Sequence, residues 1–319
     1  MLKKLVFCCF LVLMFSCSEE DEREEEISKI PVKMEVVRFD RRFAEAGSQE
    51  LPALKRDFPY LFPKQYPDSL WLEKMQDTIQ LQLNDAVSRE FPNFQQTELE
   101  LENLFQHIKY YFPQTKIPKV VTLTSDVDYR NKVIWADSLL LVSLDTYLGP
   151  EHPLYLGVQE YIKKGMNKDY LLPDVATAFG ETVVPKPQSR NFLAHMLYFG
   201  KLLYMQDLLL PSVSDARKMG YTPEEMEWAQ KNEEQIWRYF VENELLFSSD
   251  TELYTRFLYP APFSKFYLQL DNEAPARLGQ YIGWEMLRKY MDKTGVSVED
   301  MLNTDAQTIF EKANYKPKK

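Results

Sequence analysis

His195 is the residue of this chain best placed to do chemistry. The sequence holds only three histidines (His107, His152, His195) and three cysteines (Cys8, Cys9, Cys17). All three cysteines lie in the first 17 residues, so the body carries neither a disulfide nor a thiol nucleophile. His195 alone sits inside a long apolar run, RNFLAHMLYFGKLLYMQD, from Arg190 to Asp207. A histidine on a buried helix beyond a sheet is the layout of a zinc peptidase, whose H-E-x-x-H puts two ligands one turn apart and a glutamate base beside the first. Here Met196 stands where the base belongs and Phe199 where the second ligand belongs. Glu233 or Glu234 could serve as a distal ligand. One imidazole and one carboxylate still fall short of the three protein ligands that catalytic zinc takes. His195 therefore reads as a core histidine hydrogen-bonded to a neighbour, with no metal and no cofactor expected. No P-loop, G-x-S-x-G or G-x-G-x-x-G occurs, and no carboxylate pair stands out among 48 acidic residues. The sequence supports no catalytic residue.

Cys17 offers a different chemistry. Residues 1–16 pair a basic start (Lys3, Lys4) with an apolar core, Leu5 to Phe15, of signal-peptide length. Ser16-Cys17 then resembles the lipobox of bacterial lipoproteins, where cleavage precedes a cysteine that is lipidated; an ordinary secretory signal cut elsewhere is the alternative. Acyl chains contribute ~0.8 kcal/mol per buried CH₂, and two or more anchor stably. Seven acidic residues follow among Ser18 to Glu26. They predict a solvated, extended tether over 17–29, ahead of one globular domain over 30–319.

What would position these residues is a mostly helical α+β domain. A net charge of −10 argues against nucleic acid as a partner. The run 190–206 is apolar on every side but for His195, Gly200 and Lys201, which marks a central buried helix. It is too short and too interrupted to span a bilayer. Strands are expected at Ile30–Phe39, 120–124, 132–136 and 139–145, forming a small mixed or antiparallel sheet. The last run is apolar without alternation, as suits a strand covered on both faces. Asp145 and Tyr147, which close it, could be a cleft rim or a turn, and the turn is the reading adopted.

Helices are expected over Ser69–Phe91 (capped by Asp68), Glu98–Tyr111 (with His107 at the edge of the buried face), Tyr155–Lys163, Asp169–Glu181 and Arg190–Met205. Another should open at Thr222-Pro223-Glu224-Glu225 and run to about Leu246. Further helices are expected near Thr251–Leu258 and Pro275–Met291, then after Ser297 (with Asp300) and Thr304 (with Gln307). Gly279 and Gly283, four apart, permit close approach to another helix near Gly200; a ligand-facing backbone is the alternative. Aromatic loops around Tyr60–Tyr66 and Tyr259–Phe266 read equally as contact surfaces or as core packing.

Several blocks carry a family resemblance. The lipobox and acidic tether, with FPYLFPKQYPDSLW (58–71), HIKYYFP (107–113), VVTLTSDVDYRNKVIWADSLLLVSLDTYLG (120–149), NEEQIWRYFVENELLF (232–247) and PAPFSKFYLQLDNEAPARLGQYIGW (260–284), closely resemble the gliding motility lipoprotein GldB family. The resemblance implies a lipoprotein of the cell envelope, anchored in the outer membrane with its periplasmic or surface face left open. It further implies palmitate on Cys17, partners among the gliding and type IX secretion machinery, and no enzymatic activity. The order of blocks is also similar to that of predicted zinc peptidases, which implies a zincin-like scaffold turned to another use.

Overall fold

The computed structural model describes residues 22–268 and 271–317. The signal-like segment 1–16 and Cys17 lie outside the described residues. Ahead of and around the first strand lie α1 (22–28), α2 (Phe39–Glu45), α3 (Leu51–Asp57), α4 (Asp68–Gln76), α5 (Thr78–Glu90) and α6 (Gln95–Tyr111). The strands are β1 (Val36–Arg38), β2 (Lys119–Leu123), β3 (Val133–Ala136) and β4 (Leu139–Ser143). Then come α7 (Glu160–Lys163), α8 (Leu171–Val183), α9 (Phe192–Leu209), α10 (Asp215–Met219), α11 (Pro223–Lys231) and α12 (Glu233–Glu242). The chain closes with α13 (Glu252–Phe257), α14 (Leu278–Thr294), α15 (Val298–Asn303) and α16 (Ala306–Ala313).

The sheet is mixed, in the order β1-β2-β4-β3. β1 and β4 flank β2 in parallel, and β3 runs antiparallel to β4. Val120 pairs with Leu140, and both face the main core together with Val142. Their neighbours Val121, Leu139 and Leu141 face a second cluster, built from Phe39, Phe43, Leu51, Leu54, Phe58 and Phe62 of α2, α3 and the loop after them. β4 is thus covered on both faces, which is why its sequence is apolar without alternation. The result is a mostly helical α+β domain.

α9 is the axis of the main core, with Phe192, Leu193, Met196, Leu197, Met205 and Leu209 all at 1% exposure or less. Burying each such side chain contributes about 1.5–3 kcal/mol. Asn191 caps the helix, its side-chain oxygen accepting from the Ala194 amide at 2.9 Å. α14 lies against it at backbone distance: a Cβ on Gly200 would stand 2.5 Å from the Gly283 oxygen, and one on Gly283 would stand 2.6 Å from the Met196 carbonyl carbon. The expected close approach at Gly200 and Gly283 is present. Gly279 serves the same contact further along, against Phe192, Phe257 and Leu258.

Lys201, the cation within α9, is buried. Its Nζ donates to the carbonyls of Leu302 (2.9 Å) and Thr304 (2.8 Å) at the end of α15. Desolvation pushes its pKa down to about 8. An unfolded lysine titrates near 10.4, so between about 8 and 10.4 the unfolded chain holds a proton that the folded chain lacks. This group's contribution to stability therefore rises with pH in that window. In urea titrations from pH 7.5 to 10.5, Lys201→Met should flatten a slope of up to about 1.4 kcal/mol per pH unit.

Several boundaries depart from expectation. The extended tether does not hold over its described part: residues 22–28 are helical, Ile27 is fully buried, and Gln106 Nε2 donates to the carbonyls of Ser28 and Ile30. One apolar residue in an acidic run suffices to dock it. That helix covers His107, which is buried rather than at an edge, with Nδ1 2.9 Å from Asn103 O and Nε2 3.1 Å from Glu24 Oε2. Ile27→Asp should undock α1. Amide exchange over 22–28 should then approach that of an unstructured peptide, with α9 amides unchanged.

The helix expected over Ser69–Phe91 is two, because Asp77 is extended and turns its carboxylate onto the Gln80 amide as a cap. Asp68 is not a cap; it pairs with Lys55 instead. The helix from Thr222 likewise breaks at Asn232, after a complete capping box of Thr222 with Glu225. The strand expected at Ile30–Phe39 shrinks to three residues, and the helix at Tyr155–Lys163 to four. The last helix is capped by Asp305, with the Thr308 amide donating, rather than by Thr304. The aromatic loops divide: Phe58, Phe62 and Phe266 are buried, whereas Tyr60, Tyr66 and Tyr259 are exposed.

Candidate functional site

The residues of the metal hypothesis are bound up in other work. His195 is half-buried, its ring centroid 4.3 Å from that of Tyr254. No described residue hydrogen-bonds to its ring nitrogens, so stacking rather than the expected hydrogen bond holds it. Desolvation keeps its pKa below the usual value. Met196 is fully buried beneath Gly283. Glu233 is buried, with Oε2 accepting from Tyr281 (2.9 Å) and Oε1 from Tyr315 (2.7 Å). Both phenols have their pKa raised, first by burial and then by that carboxylate. Glu234 pairs with Arg238 at 2.7 Å, one turn along an open helix face. Among the described residues no group of three or more His, Cys, Asp or Glu is placed to hold a metal ion.

The helical face that begins at His195 nevertheless leads to a site. Phe199, Leu202, Leu203 and Gln206 follow it at helical spacing and line a cleft of about 570 Å³. A cleft of this size is typical of ligand pockets. An aromatic chain joins its mouth to His195, with Phe199 against Tyr259 at 6.4 Å and Tyr259 against Tyr254 at 6.2 Å.

One wall comes from the loop between β2 and β3, and Asp145 shapes that loop. Its carboxylate is fully buried and accepts from the amides of Ser125 (3.0 Å) and Val127 (2.8 Å). Burial raises its pKa, against the lowering by these amides. The bonds hold Asp126 and Val127 at φ 57° and 59°, a left-handed conformation that a β-branched residue adopts only when its surroundings fix it. The chain leaves this turn to bring Tyr129, Arg130 and Lys132 into the cleft. Asp145 is thus neither a rim residue nor a plain turn; it is the support beneath one. Tyr147, also buried, donates to Asp174 at 2.8 Å, and Asp174 pairs with Lys132 across the wall.

The opposite wall joins the α10–α11 corner to the start of α14. Gly220 ends α10 in the left-handed region (φ 67°). Tyr221 donates its hydroxyl to the Ala276 carbonyl. Arg277 donates to the carbonyls of Met219 and Gly220 and lies over the Tyr221 ring at 5.7 Å. Its own backbone is left-handed at φ 62°, which costs an L-residue roughly 1–2 kcal/mol.

The electrostatics run against the whole chain. Six lysines and arginines line the cleft against three carboxylates, on a protein of net charge −10. Lys132, Lys164, Arg217 and Lys218 are paired, with Asp174, Glu225, Asp169 and Asp207 respectively. Arg130 and Arg277 have no carboxylate partner among the described residues. On the floor, Gln206 is 3% exposed; its Nε2 donates to Thr177 Oγ1 at 3.1 Å, and its Oε1 has no partner. Thr177 spends its own hydroxyl proton on the Pro173 carbonyl at 2.9 Å, so it cannot turn to serve that oxygen. Sequence reading passed over Gln206, Arg130 and Arg277. The one available signal was a glutamine in a helix with few polar residues.

Residues 20–317 match the family model described as gliding motility protein GldB. No curated protein and no solved structure matches the chain.

Proposed function

The chain belongs to the gliding motility protein GldB family, and from that premise we propose that it is a lipid-anchored, non-enzymatic component or assembly factor of the gliding and type IX secretion machinery. In this reading Cys17 carries the lipid, the anchor lies in the outer membrane, and the body docks on partner proteins of the cell envelope. The family match over residues 20–317 carries the proposal. Two observations support it. Met196 packs under α14, and the Glu233 carboxylate is taken by two tyrosine hydroxyls, so the positions a hydrolase would need are committed to structure. Exposed aromatics at Tyr60, Tyr66, Tyr259 and Tyr267 offer contact surface on the body. Among the described residues no helix is long and apolar enough to cross a membrane.

The test is genetic and biochemical. Cys17→Ser should abolish incorporation of labelled palmitate and release the protein from the membrane fraction. Cells whose protein stops after residue 29 should fail to glide. If they glide normally and the machinery still assembles, the docking role is wrong.

A further inference from the structure

We propose that the cleft beside α9 binds an acidic peptide segment, with Arg130 and Arg277 taking its carboxylates and Gln206 Oε1 accepting a backbone N–H. The proposal rests on the docking reading and gives the partner a chemistry.

Three independent features converge on this ligand. A buried amide oxygen without a donor is costly, at about 1–3 kcal/mol, and a ligand N–H on the cleft floor would relieve it. Thr177 cannot relieve it, because its proton already lies on Pro173 O. Two guanidiniums free of carboxylates stand in walls whose other lysines and arginines are neutralised. Guanidinium is the group that binds carboxylate bidentately, and arginine clusters are a recurring device for acidic motifs. Arg277 is also held rather than loose, by the Met219 and Gly220 carbonyls and the Tyr221 ring, from a backbone conformation that costs energy. Strain of that kind persists where the surroundings over-determine a residue, and such places cluster at ligand clamps.

The lining between the charges suits a peptide. Leu202, Leu203, Leu258, Pro260 and Pro262 form aliphatic walls that suit apolar side chains. A segment alternating acidic and apolar residues meets both kinds of wall.

The experiment uses the full-length protein in detergent micelles and a fluorescein-labelled hexapeptide of alternating glutamate and leucine, read by fluorescence anisotropy. Saturable binding is expected, weakening about tenfold between 50 and 500 mM NaCl as the charges are screened. Arg130→Gln, on an exposed position that the fold does not need, should weaken it at least fivefold. Arg277→Gln should do the same, and Gln206→Leu, which keeps the buried volume, at least threefold. Equal binding of a lysine–leucine hexapeptide, binding unchanged in Arg130→Gln and Gln206→Leu, or displacement by trigalacturonate at the same concentration as by unlabelled peptide would each overturn the proposal. If no peptide binds while cells truncated after residue 29 still fail to glide, this inference falls and the docking role stands.

Discussion

Gly283→Ala should destabilise the domain by about 3 kcal/mol, the top of the usual overpacking range and more than a methyl group elsewhere on α14 would. The added carbon would fall 2.6 Å from the Met196 carbonyl carbon, closer than real Cβ atoms come to atoms of residues they are not joined to. A clashing side chain can change rotamer, but a backbone carbonyl inside a helix cannot, so α9 and α14 must move apart. Separation opens the packing around Phe192, Leu197, Trp284 and Leu287, all buried in one cluster. Gly200→Ala should behave alike, since its Cβ would meet the Gly283 oxygen at 2.5 Å. Gly165→Ala is the control: its nearest neighbours would be 3.8 and 3.9 Å away, and the change should stay within about 0.5 kcal/mol. Urea midpoints of the three variants decide it. A Gly283→Ala protein as stable as the control would mean that the two helices are not in backbone contact.

The second large effect is expected at the other end of α9. Asp207 Oδ1 accepts from Lys218 Nζ (2.9 Å) and Arg288 Nη2 (2.7 Å), and Oδ2 from Trp284 Nε1 and Arg288 Nε (both 2.8 Å). Trp284 is fully buried, Lys218 nearly so, and the Arg288 guanidinium lies 3.6 Å over the indole. One carboxylate thus ties α9 to α10 and α14. Asp207→Ala leaves the nearly buried Lys218 ammonium and the buried indole N–H without this acceptor. Removing one partner of a buried charge pair costs about 3–5 kcal/mol. Arg288 keeps Asp215 (2.7 Å) and Glu285 (2.9 Å), so the loss comes from Lys218 and Trp284. Adding Lys218→Met to Asp207→Ala should therefore recover part of the stability, since the stranded charge is gone. A loss below 1 kcal/mol for Asp207→Ala would place the cluster among ordinary surface pairs.

The elements that persist in the structure are those whose cause is local. α9 announces itself by being apolar all round, β4 by lacking alternation, and the start of α11 by a Thr, a Pro and a Glu in fixed order. The glycines of α9 and α14 were legible as a pair because only close approach explains two of them on one helical face. The breaks at Asp77 and Asn232 were not. In each a polar residue interrupts a run whose propensities favour one long helix, and the residue at the break becomes the N-cap position of the next helix. The site was less legible still. Arg130, Gln206 and Arg277 are far apart in sequence, and each is ordinary where it stands. Their meaning lies in what is missing around them: a carboxylate, a donor, a relaxed backbone. His195 drew attention to the right helical face, for a reason the structure does not bear out.

Docking of the first helix changes the mechanics of the proposed anchor. A tether free to residue 29 would let the body swing over a hemisphere some 40 Å in radius, at up to about 3.6 Å per residue. With Glu24 bound to His107 of α6 and Ile27 buried, only the five steps from Cys17 to residue 22 lie ahead of the described helix. They span at most about 18 Å. A lipid on Cys17 would then act as a short leash. The body would ride close over the headgroups, presenting the same side to the bilayer, and would meet its neighbours by sliding in two dimensions rather than by reaching out for them.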